Sequence, residues 1–176
     1  MKKNSIALIG FMATGKTTVG KTLARQLGNA YRFIETDQII IEMVKKSIPK
    51  IFSEDGEKKF REYESIACKR VSNLTNVIVS CGGGVVLNNV NIDNLKLNCH
   101  IVLLEASLEE IFKRAMKDGK ETRPVINKDD PKKEIEKVLT FRKPYYQSAA
   151  EFIIETTSKE IQDIVEEIVI KTQLKT

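Results

Sequence analysis

Ile6-Ala7-Leu8-Ile9-Gly10-Phe11-Met12-Ala13-Thr14-Gly15-Lys16-Thr17-Thr18 is the stretch on which the fold turns. Gly10 to Thr17 fit the phosphate-loop pattern G-x-x-x-x-G-K-[ST]. The apolar run before them predicts a buried strand. After them Val19, Leu23 and Leu27 recur at helical spacing, which predicts a helix over Gly15–Leu27. Strand, glycine loop and helix in that order give the pattern a mechanism, because loop N–H groups and the positive helix end together cradle phosphates. Gly10, Met12, Ala13, Thr14, Gly15, Lys16, Thr17 and Thr18 are the expected nucleotide-binding residues. Lys16 is expected to reach the β and γ phosphates, and Thr17 to offer its hydroxyl to Mg²⁺.

Bulk properties narrow the remaining options. A chain of 176 residues with 41% hydrophobic and 30% charged residues suits one globular domain with its own core. The net charge of +5 is compatible with polyanions, yet the lysines are scattered and no basic stripe interleaves with aromatics. Nucleic acid is therefore not expected as a partner. No apolar run approaches membrane-spanning length, and Met1-Lys2-Lys3-Asn4 does not begin a signal peptide. Cys68, Cys81 and Cys99 lack metal-ligand spacing, which favours a reducing, cytoplasmic location. Cys81 is expected to be a small residue at a strand end, and His100 to be structural or on the surface.

The rest of the chain alternates. Apolar runs at Ile6–Ile9, Tyr31–Ile34, Val77–Ser80, Ile101–Leu104 and Phe152–Ile154 predict parallel strands buried on both faces. Helical patterns cover Asp37–Lys46, Glu57–Asn73, Ser107–Lys117, Pro131–Ala149 and Ser158–Lys171. The sum is a three-layer α/β fold with right-handed crossovers. Ser107 with Glu110 has the form of a capping box. Ser47–Glu57, with Pro49 and Gly56, predicts an exposed excursion. The polar run Lys117–Pro124 predicts a lid-like loop.

Ligands in such folds gather beyond the carboxyl ends of the strands. There strand two ends in Glu35-Thr36-Asp37 and strand three in Ser80-Cys81-Gly82-Gly83-Gly84. Asp37 is placed either to meet an alcohol as base or to cap the next helix. Three glycines in a row allow a ligand close to the main chain, or simply make a tight turn. Arg61 and Arg142 are solvated arginines if they lie apart, and a bidentate carboxylate clamp if they converge.

The phosphate loop, Glu35-Thr36-Asp37, Phe60-Arg61, Gly82-Gly83-Gly84, Arg123-Pro124 and Arg142-x-Pro144-x-Tyr146, in that order and spacing, resemble the shikimate kinase family over roughly Ile6 to Ile170. The resemblance implies a nucleoside-monophosphate-kinase-like P-loop NTPase fold: a five-stranded parallel sheet, a lid near residues 115–127 and a substrate-binding excursion near 37–63. It implies transfer of the γ-phosphoryl group of ATP to the 3-hydroxyl of shikimate, with Mg²⁺, by a monomeric enzyme. By position, Lys16, Asp37 and Arg123 are the implied catalytic residues. Arg61, Arg142 and Gly82 to Gly84 would hold shikimate alongside Asp37. Thr17, with Glu35 acting through water, would hold the metal, and Arg114 and Thr156 would border adenine. One position departs: the family has Asp-x-Asp where this chain has Glu35-x-Asp37, which keeps open another hydroxy acid such as gluconate. A nucleotide-binding regulator without catalysis is the alternative of a different class; Lys16, Asp37 and Arg123 argue against it.

Overall fold

The computed structural model describes residues 3–117 and 130–174. Strands β1 (Ser5–Ile9), β2 (Arg32–Glu35), β3 (Val77–Ser80), β4 (Cys99–Glu105) and β5 (Phe152–Glu155) form one sheet in the order β2-β3-β1-β4-β5. Every pairing is parallel, with Ile6 opposite Ile78 and His100, and Ile34 opposite Val79. Helices α1 (Lys16–Leu27), α2 (Thr36–Val44), α3 (Ile48–Glu54), α4 (Gly56–Ser72), α5 (Asn89–Lys96), α6 (Leu108–Lys117), α7 (Pro131–Ala149) and α8 (Ile161–Thr172) complete the described fold.

The period-two alternation of the strands divides the core. Ile6, Leu8, Ile78, Val102, Leu104 and Ile154 face α1 and α8. Ala7, Ile9, Val77, Val79, Ile101 and Leu103 pack with residues of α4 to α7 on the other face. β1, β3 and β4 are buried almost throughout, which is why they read as unbroken apolar runs. The expectation of burial on both faces fails for β2 and β5. They are the sheet edges, and Arg32, Glu155 and Ile153 are exposed.

A third, smaller core of Ile40, Ile51, Phe60 and Ala67 lies among α2, α3 and α4. It overturns the expectation of an exposed loop over Ser47–Glu57, because that segment holds α3. Pro49 stands in the first turn of α3, where no backbone N–H is needed, so it starts a helix instead of interrupting one. Gly56, at φ +80°, then separates α3 from α4. Helix α5 was not anticipated, since its asparagines are poor helix formers; Asn88 caps it by accepting from the Val90 N–H at 3.0 Å. The last helix begins at Ile161, not Ser158, whose φ of 56° is left-handed. Only half the capping box forms: Ser107 Oγ accepts from the Glu110 N–H at 3.2 Å, while the Glu110 carboxylate turns to Arg114.

Candidate active site

β1 stands where the strand order changes direction, so its carboxyl end opens into a crevice, and the glycine loop fills it. Gly10 cannot be replaced without conflict: its φ is +140°, and a Cβ would lie 2.4 Å from the Leu104 carbonyl oxygen. Lys16 Nζ donates to the carbonyls of Gly10 at 2.9 Å and Phe11 at 2.7 Å, curling over the loop. Thr17 Oγ1 donates to Glu35 Oε1 at 2.7 Å. A cavity of about 300 Å³ lies in front, lined by Lys16, Thr17, Thr18, Glu35, Asp37 and Ser80, among others.

A second cavity of about 360 Å³ adjoins it and shares Met12, Asp37, Gly82 and Gly83 with the first. Its walls are apolar where α3 and α4 contribute Ile48, Pro49, Phe52 and Phe60, and charged where Arg61, Glu64 and Arg142 enter. The structure therefore brings both arginines to one cleft. Arg61 Nη1 donates to both oxygens of Glu64, at 3.0 and 3.2 Å, and Nη2 donates to Glu57 at 3.1 Å. Arg142 Nη1 donates to the Gly83 carbonyl at 3.2 Å, where the Tyr146 hydroxyl also donates at 2.5 Å. Arg142 Nε is buried without an acceptor among the described residues.

Asp37 stands between the two cavities. It does not cap α2, because Glu35 occupies the cap position and Asp37 lies in the first turn. Thr36, buried just before it, accepts the Gly82 N–H at 2.9 Å and so fixes β2 to the glycine triplet. Asp37 Oδ1 is enclosed with no hydrogen-bond partner among the described residues. Burial raises the Asp37 pKa; Lys16 opposes the shift, Glu35 adds to it and Arg61 opposes it. Burial likewise raises Glu64, against the pull of Arg61. Tyr146 is pushed up to about 12 by burial, so its hydroxyl keeps its proton.

The glycine triplet has a use that its sequence did not reveal. A Cβ on Gly82 would come within 2.9 Å of Asp37 Oδ1 and 3.2 Å of Glu64 Oε1, and one on Gly84 within 2.2 Å of Arg61 Nη1. The missing side chains make room for the charged groups themselves. Glu64, which is only 1% exposed, and Tyr146 are site residues that sequence reasoning gave no role. Glu64 sits in the charged run Arg61-Glu62-Tyr63-Glu64, where only the turn of α4 distinguishes it from its solvated neighbours.

Arg114 and Thr156 meet behind the loop. Arg114 Nη2 donates to the Thr156 carbonyl at 2.9 Å, and Nε donates to Glu110 at 2.8 Å. Arg123 and residues 118–127 of the expected lid lie outside the described residues. The three cysteines are buried free thiols; Cys81 closes the end of β3 and its pKa is raised strongly by burial. His100 pairs with Glu151 at 3.1 Å, at the opposite end of β4 from the glycine loop.

A phosphate loop at the carboxyl end of a parallel sheet, beside a cavity where two arginines and a buried carboxylate meet, is the architecture of a P-loop phosphotransferase. The shikimate kinase family model matches residues 12–173. A shikimate kinase of Caldanaerobacter subterraneus subsp. tengcongensis is 40% identical over 165 residues, covering 94% of each chain. The structure of a shikimate kinase from Acinetobacter baumannii in complex with shikimate superposes with a TM-score of 0.88 at 29% identity, over 98% of this chain and 96% of that one. A gluconokinase from Sinorhizobium meliloti 1021 reaches a TM-score of 0.63 at 16% identity, over 98% and 93%, a likeness of fold alone. The chain belongs to the shikimate kinase family, and it is an ATP-dependent kinase.

Proposed function

We propose that the chain transfers the γ-phosphoryl group of ATP to the 3-hydroxyl of shikimate, giving shikimate 3-phosphate and ADP for aromatic amino acid biosynthesis. The observation that carries the residue assignment is Asp37 Oδ1, a buried acceptor without a partner among the described residues, where the phosphate and acid cavities meet. A hydroxyl donated by an acceptor in the second cavity would satisfy it. Asp37 takes the hydroxyl proton as the alcohol oxygen bonds to the γ-phosphorus. The bond from that phosphorus to the β–γ bridging oxygen breaks, and its electron pair leaves with ADP. Arg61 and Arg142 hold the shikimate carboxylate, which supplies the missing acceptor for Arg142 Nε. The Phe52 and Phe60 rings, 4.6 Å apart, shield one side of the acid cavity from water.

Lys16 leaves its carbonyl contacts in the loop to meet phosphate oxygens. Arg123 joins it, a role that rests on the family resemblance. The oxygen donors Thr17 and Glu35 fit Mg²⁺, which keeps waters and takes further ligands from phosphates; no group of three or more His, Cys, Asp or Glu residues that could hold an ion occurs among the described residues. Bound there, Mg²⁺ would neutralise phosphate charge. Glu35 differs from the family's aspartate by one methylene, and its 2.7 Å bond from Thr17 is compatible with the pair serving one ion. We further propose one kinase domain over residues 1–176, with a lid near 115–127 and a substrate excursion near 37–63. It acts as a cytoplasmic monomer on small molecules, and its three buried thiols suit a reducing compartment.

A coupled ADP-release assay tests the reading, with shikimate, gluconate or no acceptor present. Release that depends on shikimate is expected. Release with gluconate alone, or equal release without any acceptor, would refute it.

A further inference from the structure

A phosphate loop can turn its N–H groups toward a ligand only if its carbonyls turn away, and carbonyls turned inward need donors. Here they are supplied from several directions. Lys16 and Thr14 Oγ1 serve the front of the loop, with Thr14 donating to the Phe11 carbonyl at 2.9 Å. Behind it, Arg114 Nη1 donates to the Ala13 carbonyl at 3.4 Å and to Thr156 Oγ1 at 3.3 Å. Ala13 has a φ of 59°, a left-handed conformation that costs energy in a residue with a Cβ and must be held by its surroundings. Thr156 is 1% exposed, and its N–H donates to the Glu105 carbonyl at 2.8 Å, anchoring this corner to the end of β4. Glu110, one turn earlier on α6, receives Arg114 Nε and sets the plane of the guanidinium.

We infer that Arg114 is a positioning residue for the phosphate loop: its guanidinium fork ties the strained Ala13 peptide to Thr156 and so holds the phosphate cradle in shape. This inference rests on the nucleotide-site reading above and assigns Arg114 a task beyond bordering adenine. The fork is essential to it, since one planar group must reach the Ala13 carbonyl, Thr156 and Glu110 together. A lysine would keep the charge and lose that geometry.

The test compares ATP with inorganic tripolyphosphate, which carries the phosphates and no base. Dissociation constants for both, with Mg²⁺ present, are measured by calorimetry for the unsubstituted chain, Arg114→Ala and Arg114→Lys. KM values for ATP and shikimate are measured in parallel. Both variants are expected to lose about tenfold in tripolyphosphate affinity and about as much for ATP, the loss due to one charge-assisted hydrogen bond. The shikimate KM is expected to hold. Loss of ATP affinity with tripolyphosphate unaffected would reduce Arg114 to an adenine contact. Full rescue by lysine would reduce it to a bare charge, and unchanged affinities would remove it from the site; each overturns the inference alone. If the alanine variant does not fold, the lysine variant decides the question. Failure of the unsubstituted chain to bind either ligand would overturn the nucleotide-site reading as well.

Discussion

Gly84→Ala tests the proposed acid-binding half of the site apart from everything else. Gly84 has φ −102° and ψ −1°, angles open to any L-residue, so the substitution brings no backbone strain. Its Cβ, however, would lie 2.2 Å from Arg61 Nη1, 2.6 Å from Nη2 and 2.7 Å from Cζ. The guanidinium is the far end of a flexible side chain, so the guanidinium moves and the main chain stays. To move, Arg61 must leave the Glu64 carboxylate it bonds at 3.0 and 3.2 Å and give up its aim into the acid cavity. A hydrogen bond to a charged group is worth about 1.5–3 kcal/mol, so the shikimate KM should rise about ten- to hundredfold. The ATP KM should be nearly unchanged, because the three atoms nearest the new methyl group all belong to Arg61. Glu64, already biased toward its protonated form by burial, can take up a proton when its partner leaves, which limits the loss of stability. Steady-state kinetics with each substrate varied, beside thermal melting of the free chain, read all of this. An unchanged shikimate KM would refute the role of Arg61, and equal rises in both KM values would refute the separation of the two cavities.

Asp37→Asn should cut turnover at least about a hundredfold, by removal of the proton acceptor. It should also stabilise the free chain by on the order of 1 kcal/mol at neutral pH. The sign follows from burial: with the folded pKa above the unfolded value, ionised Asp37 costs stability above the folded pKa, and the cost is absent below the unfolded value. The gain should therefore fade as pH falls to about 4, and melting curves that show destabilisation at pH 7 would contradict it. Arg142→Ala should raise the shikimate KM about tenfold or more while sparing ATP, since Arg142 meets the site through the Gly83 carbonyl and the acid cavity; equal losses for both substrates would contradict the clamp. Gly10→Ala should abolish ATP binding and lower the melting temperature together, because its Cβ strikes the backbone of β4; calorimetry showing native ATP affinity would contradict that geometry.

The glycine loop was legible because strand, turn and helix each left a local mark: an apolar run, two glycines and a helical repeat. The central strands were legible for the same reason, while β2 and β5 were assigned the wrong burial, since strand order is not written in any one strand. Helices α3 and α5 escaped because a proline in a first turn and an asparagine-rich stretch both look like loop until their caps and packing are seen. In the site the residue types were readable but their mutual pairing was not. Gly82 and Gly84 read as a floor for a ligand, and they also leave space for Asp37, Glu64 and Arg61. Spacing along a chain reports which element carries a residue. What fills the volume above a glycine is decided by helices arriving from elsewhere. Glu64 belongs to the same class: a buried carboxylate is costly unless paired, and Arg61 pairs it with two hydrogen bonds. On the proposed assignment, shikimate meets an Arg61 already engaged by Glu64. That engagement would temper the attraction of the proposed clamp for any anion and leave discrimination to the fit of the hydroxyls against Asp37.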